Sequence, residues 1–389
     1  MKTSSPLLFD PAVHTFPEFD LQRLLKTVFA PEPGQRFAVF IDLENPPESK
    51  DAAFLKDPQN SIQKYAYDLF YQPLRGKVGE ALGAKGCDLY AYKITGGSNL
   101  DLPDEAYTLE GQQVSLEKEV YPRYDIILCI STESATAPLT AFAKKYGFRG
   151  ATLHGLNQTI VDSGLCVDYE EVSRQTEKLR LGFTKADKVE IDFETNGHKQ
   201  TLTLILNKQE AQKSHGLCRG GPDVANLPAG EIYFVPEGAE GEFPMQYADG
   251  TIGLQKVSGG RITHAVLMDG SEATIAAHNE KLKSDPVTGE LGELGFGTQI
   301  LPVSGKDIQD EKVLGTLHVA TGRSDHLGGH LTPELFSESQ NATHDDILYS
   351  PTKTPGIKVT QARLYRDGQT HVVIENYVPS SYIEELLNG

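Results

Sequence analysis

A chain of 389 residues, 39% hydrophobic and 23% charged, has material for two domains with sizeable cores and does not read as a disordered or fibrous protein. Its 36 basic and 54 acidic residues give a formal net charge of -18, which argues against nucleic acid or an anionic membrane as a partner. The cysteines show no Cys-x-x-Cys spacing, no run approaches about 18 apolar residues, and the opening MKTSSPLLFDPAVHTF lacks the apolar core of a secretory signal, so a cytoplasmic protein is expected.

Up to residue 35 the chain carries Pro6, Pro11, Pro17, Pro31 and Pro33, with one short helical pattern from Leu21 to Phe29. RFAVFIDL is an apolar run ended by Asn-Pro-Pro and reads as a buried strand entering a loop. Ile62, Tyr65, Ala66, Leu69 and Phe70 recur at helical spacing and predict one amphipathic helix from Ser61 to Leu82. CDLYAYK and YDIILCIST predict strands, Ala135 to Tyr146 a helix closed by Gly147, RGATLHG a strand, and Tyr169 to Leu181 a helix. Continuous apolar strands alternating with helices predict an α/β domain, residues 1–185, with a mostly parallel sheet covered on both faces. No GxGxxG motif or P-loop lysine accompanies it, and His154 and Asp162 read as ordinary loop residues.

The pattern changes near Lys185. KVEIDFETNGHKQTLTLILN reads as two alternating strands joined at Asn-Gly, a hairpin signal. EIYFVPE, GTIGLQKV, RITHAVLM, TLHVATG and GIKVTQARLYRDGQTHVVIENY predict further short strands, interrupted by one helix from Ala273 to Lys283. A second domain, residues 186–389, is therefore expected to be mainly antiparallel β with some helix.

That domain holds the chemistry. Between Gly289 and Tyr349 lie Glu293, Asp310, Glu311, His318, His326, His330, His344, Asp345 and Asp346, set among many glycines. Carboxylates and imidazoles are the groups that hold first-row divalent metals, and glycine lets backbone approach such a site closely. His344 and Asp346 are spaced i, i+2, so an extended segment sends both side chains to one face. No HExxH motif is present. The residues alone predict a metal site without fixing its ligands.

Four segments in order, NLPAGEIYFVPE, LGELGFGTQ, DEKVLGTLHVATG and NATHDDILY, resemble motifs of the thermophilic-type metallo-aminopeptidases, the aminopeptidase T family. The resemblance implies Glu231, Glu293, His318, His344 and Asp346 as metal ligands, an α/β domain followed by a β-rich one carrying the metal site, and a homodimer. Two departures stand out. Asp325 takes the place of the tyrosine seven residues after the first histidine, and Lys312 takes the place of an asparagine.

Three functions follow. The first is an aminopeptidase acting on peptides, in which two Zn, Co or Mn ions activate a water and Glu311 or Asp325 carries the proton. The second is a mononuclear non-haem iron dioxygenase that cleaves rings, with His318, His344 and Asp346 as a two-histidine, one-carboxylate triad. The third is a non-catalytic binding relative.

Overall fold

The computed structural model describes residues 7–389; the first six residues of the opening stretch read above for a secretory signal lie outside the described residues. The chain forms two compact units. One comprises His14–Ser173 and His215–Ala229; the other comprises Arg174–Ser214 and Gly230–Gly389, with the described residues up to Val13. The chain thus passes between units within the helix Tyr169–Phe183 and returns once to the first.

The first unit contains a seven-stranded sheet. Its order is Val224–Asn226, Arg149–Thr152, Ile126–Cys129, Arg36–Leu43, Gly86–Lys93, Glu105–Thr108, Gln113–Ser115. The first five strands run parallel, and the last two form an antiparallel hairpin on the edge. Ile126–Cys129 is buried along its whole length, as a strand covered on both faces must be. Phe40, Tyr90, Tyr121, Ile127, Leu139 and Phe148 lead its core, with Tyr121 stacked on Phe142 at 4.6 Å between ring centroids.

At the carboxyl end of Arg36–Leu43 sits Asp42, an acid that the protein itself satisfies. Its two carboxylate oxygens accept from Thr132 N–H at 3.0 and 2.9 Å, and one of them also accepts from Gln63 Nε2 at 2.7 Å. The expected helix from Ser61 to Leu82 is broken instead. It runs α from Ser61–Tyr65, widens to a π turn over Ala66–Tyr71, resumes at Gln72–Arg75, breaks at Gly76 and ends with Lys77–Leu82. Pro73 offers no N–H to Leu69, so the ladder loses a bond there and the preceding turn opens.

The second unit contains two antiparallel sheets. The eight-stranded one is ordered Arg261–Asp269, Ile252–Ser258, Gly238–Gln246, His198–Ile205, Lys188–Thr195, Lys358–Arg366, Gln369–Glu375, Val378–Pro379. Its central hairpin turns at Asn196 and Gly197, with φ of 51° and 77°, the left-handed pair such a tight turn needs. The five-stranded sheet is ordered His344–Tyr349, Leu317–Gly322, Leu291–Gly297, Glu231–Phe234, Gln212–Ser214. Ile232, Phe234, Leu294, Phe296, Leu317, Val319, Ile347 and Tyr349 from this sheet join Val189, Ile191, Phe193, Leu202 and Leu364 from the other in one core. Phe193 and Tyr349 meet at 4.8 Å between ring centroids.

Several elements were not expected, among them two in this unit. A helix, Ser381–Asn388, ends the chain and packs Ile383 into the same core, and a short turn of helix, Asp307–Asp310, precedes Glu311. Among the described residues no helix is long and apolar enough to cross a membrane.

Candidate metal centre

The site grows out of strand alternation in the five-stranded sheet. In antiparallel pairs, partners point to the same face, as do residues two apart on one strand. Glu231 pairs with Gly297, Gly295 with His318, Glu293 with Ala320, Ala320 with Asp346, and Gly322 with His344. One face therefore carries Glu231, Glu293, His318, His344 and Asp346, separated by glycine and alanine. The opposite face carries the aliphatic and aromatic residues of the core. A register irregularity between Leu291 and Glu293 sits beside the site, where bulges commonly redirect a side chain.

Two of the glycines are required by space. A Cβ on Gly295 would lie 2.1 Å from His318 Cε1, so only hydrogen there lets the imidazole lie across the strand. A Cβ on Gly297 would lie 2.1 Å from the Val313 carbonyl oxygen and 2.7 Å from the Lys312 carbonyl carbon. Gly297 thus admits the Glu311–Val313 backbone, which Gln299 N–H anchors through the Lys312 carbonyl at 2.8 Å.

The five side chains expected to bind metal converge. Glu293 stands 3.5 Å from His318 Nε2 and 3.0 Å from His344 Nε2 through its two oxygens. Asp346 Oδ1 stands 3.3 Å from His344 Nε2 and 3.9 Å from His318 Nε2. Glu231 Oε2 lies 3.8 Å from His318 Nε2. Glu231, Glu293 and His318 form one set whose ligand atoms all lie within 4.8 Å of one another; Glu293, His344 and Asp346 form a second. Glu293 belongs to both.

Orientation comes from the surroundings. His344 Nδ1 donates to the Arg323 carbonyl at 2.7 Å, which leaves Nε2 to face the carboxylates, the arrangement typical of a metal-binding histidine. His318 Nδ1 and Asp346 Oδ1 are buried without a hydrogen-bond partner among the described residues. An unpartnered carboxylate oxygen beside two imidazole nitrogens is a donor set waiting for a cation, and the residues fit a divalent metal. Asp346 is the most open of the five, with 25% of its side chain exposed.

Charge balance agrees. Burial works against ionisation of both histidines, yet the surrounding carboxylates prevail. Glu293 and Asp346 push His318 up to about 10 and hold His344 well above the usual imidazole range. Burial likewise raises Glu293 and Asp346, but the two imidazoles hold both carboxyls below their ordinary values. Protons on the imidazoles supply the positive charge that a metal would supply in their place.

Glu311 and Lys312 complete the floor. Lys312 Nζ reaches Glu231 Oε1 at 2.6 Å and Glu311 Oε1 at 2.6 Å. Burial would neutralise the lysine, but the two carboxylates hold its ammonium above the usual lysine range. Burial together with the charges of Asp346 and Glu231 pushes Glu311 up to about 8. This contact was not expected from the sequence, where Lys312 stood out only as a departure from the family pattern.

Asp325 lies beside the set. Its carboxylate accepts from Arg323 Nε at 2.8 Å and stands 3.9 Å from His326 Nδ1. Burial opposes it, but His326 and Arg323 hold this carboxyl below the usual range. His326 packs edge-on against His344 with ring centroids 5.0 Å apart, and burial lowers its pKa, so it stays neutral. The other acids and histidines of the dense stretch serve elsewhere. Asp310 accepts from Ser304 and Gly305 N–H groups, Asp345 from the Thr343 hydroxyl, and His330 is exposed 3.5 Å from Glu290. Asp162, in the other unit, accepts from Gln158.

No protein-family model and no curated protein matches the chain. Among solved structures it is similar to 2,5-dihydroxypyridine dioxygenase from Pseudomonas putida KT2440, with a TM-score of 0.57, 14% identity, and coverage of 93% of this chain and 97% of that one. The likeness is one of fold.

Proposed function

We propose that the chain is a mononuclear metal-dependent dioxygenase that opens a hydroxylated aromatic or pyridine ring. The observation that carries this reading is the convergence of His318, His344 and Asp346 on one sheet face, with His344 already oriented by the Arg323 carbonyl. The fold shared with a dihydroxypyridine dioxygenase supports it. His318, His344 and Asp346 would hold a ferrous ion, which would supply the binding and activation of dioxygen.

The chain's own residues supply the rest. Glu293, 3.0 Å from His344 Nε2 and 3.5 Å from His318 Nε2, would offset the charge of a metal held on those nitrogens. His326 is neutral and buried with Nδ1 lacking a hydrogen-bond partner, so it can take the proton that a ring hydroxyl gives up on binding. Lys312, a fixed ammonium, holds the Glu231 carboxylate that faces His318. The apolar opposite face of the sheet keeps the strands rigid beneath them.

The two-ion aminopeptidase reading needs Glu231 as a ligand, and Lys312 already holds that carboxylate at 2.6 Å. It also gives Glu311 or Asp325 the proton transfer, whereas Asp325 is engaged by Arg323 and Glu311 by Lys312. The deciding experiment measures oxygen uptake and loss of ring absorbance on dihydroxypyridines and catechols with iron-reconstituted protein. Aminoacyl-amides with Zn, Co or Mn are assayed in parallel. Oxygen uptake matched to ring loss is expected; amide hydrolysis without oxygen uptake would replace this reading with the peptidase.

A further inference from the structure

We infer that Lys312 is a built-in cation that takes the place of a second metal ion and limits this site to one. The inference rests on the single-metal reading above and adds a reason for it. Two sets of three groups could each hold an ion; they share Glu293, and the triad of the proposed centre takes His318 from one and His344 and Asp346 from the other. In the set of His344, Asp346 and Glu293, no lysine ammonium pairs with either carboxylate among the described residues. In the set of Glu231, Glu293 and His318, one does. Glu231 turns one oxygen toward His318 at 3.8 Å and gives the other to Lys312 Nζ at 2.6 Å.

A divalent ion bound to Glu231 would lie about 2 Å from its oxygen, and so within a few ångströms of that ammonium. The lysine is also held there. Its side chain is 1% exposed, its second carboxylate partner Glu311 is 6% exposed, and both are fixed by the backbone that crosses Gly297. The ammonium is therefore shielded from bulk solvent where it stands. Two of the ammonium's N–H donors meet the two buried carboxyl groups, so a cation already stands between Glu231 and Glu311. Replacing the lysine with a neutral side chain leaves Glu231, beside His318, and Glu311 without a cation between them, and a divalent ion is what such a set of oxygen and nitrogen donors takes up.

The test counts metal without reference to activity. Wild type, Lys312→Arg, Lys312→Met and Lys312→Gln are dialysed to equilibrium against Mn(II) and analysed for manganese per chain. Glu231→Gln/Lys312→Met is carried as the variant lacking one carboxylate of the second site. One ion is expected in wild type, Lys312→Arg and the double variant, and two in Lys312→Met and Lys312→Gln. One ion in wild type and still one in the neutral variants overturns the inference and leaves the single-metal reading standing. Two ions in wild type, or none, overturns both. Two in the double variant overturns the assignment of the second ion to Glu231. Lys312→Met and Lys312→Gln are both prepared in saturating Mn(II), which by this inference restores the missing charge. Failure of both to fold under those conditions also counts against it.

Discussion

Asp42 in the first unit and Asp346 in the second are both acids on strands, and the two have opposite surroundings. Asp42 is ringed by neutral donors, the Thr132 N–H and hydroxyl and the Gln63 amide. Burial still raises its pKa against those bonds. Asp346 faces two imidazoles, has one buried oxygen without a hydrogen bond, and is held below its ordinary range. A buried acid whose donors come from the protein is a structural group, complete without anything else. An acid whose inner oxygen faces ring nitrogens at 3.3 and 3.9 Å is complete only with a proton or a metal on those nitrogens. Density of acids alone does not separate the two cases; the partners do.

The largest expected effect follows from this contrast. Saturating metal at about a thousand times its Kd should stabilise the second unit by about 4 kcal/mol through linkage, and chelation should remove that gain. Thermal melting of loaded and chelated protein reads it out; identical curves would place the metal elsewhere. The pH dependence sharpens the same point. His318 is pushed up to about 10 from an ordinary 6.5, so the folded chelated protein binds more protons than the unfolded chain across that window. This contribution is fully present below about pH 6.5 and is lost as pH rises through about 10. Metal competes for the same nitrogens, so its affinity should rise over the same range, and the loaded protein should not share the decline. Denaturant melts of both forms at several pH values check the sign.

Next comes Gly295→Ala. A methyl 2.1 Å from His318 Cε1 must push the ring away or shift the strand, at about 1–3 kcal/mol for overpacking. Metal affinity should fall with it, whereas an ordinary surface glycine in a strand would gain stability from alanine. Asp42→Ala gives the complementary result. It should cost about 1–3 kcal/mol by leaving buried donors unsatisfied, and leave metal content unchanged. A change in metal content there would break the distinction between the two acids. The smallest effect is expected from Asp325→Asn. It weakens the pairing with Arg323, whose carbonyl orients His344, and should lower metal affinity by roughly tenfold, measured by competition with a chelating dye.

Much of this was legible in the sequence, for identifiable reasons. Leu-Gly-Glu-Leu-Gly-Phe-Gly places Glu293, Gly295 and Gly297 on one face and Leu294 and Phe296 on the other, because alternation is a property of the strand itself. The i, i+2 spacing of His344 and Asp346 carried the same information, and it set Asp345 aside to bond Thr343. The role of Lys312 was not legible, since it depends on a loop crossing Gly297 to meet Glu231 from a distant strand. Asp325 read as a candidate proton carrier because its partnership with Arg323 depends on the turn that follows the Leu317–Gly322 strand. Local signals were available for two misreadings. Pro73 and Gly76 mark the breaks in the Ser61–Leu82 stretch, and Ser380 followed by Ile383, Leu386 and Leu387 marks the final helix.

The central claim is that one metal sits on His318, His344 and Asp346 with positions open to dioxygen. Its most direct test is anaerobic loading with ferrous iron, followed by nitric oxide as a stand-in for dioxygen and electron paramagnetic resonance. The account predicts one iron per chain, a half-integer-spin iron–nitrosyl signal of matching intensity, and loss of both in His344→Ala. Iron that binds without forming the nitrosyl, or a signal that survives in His344→Ala, would contradict it.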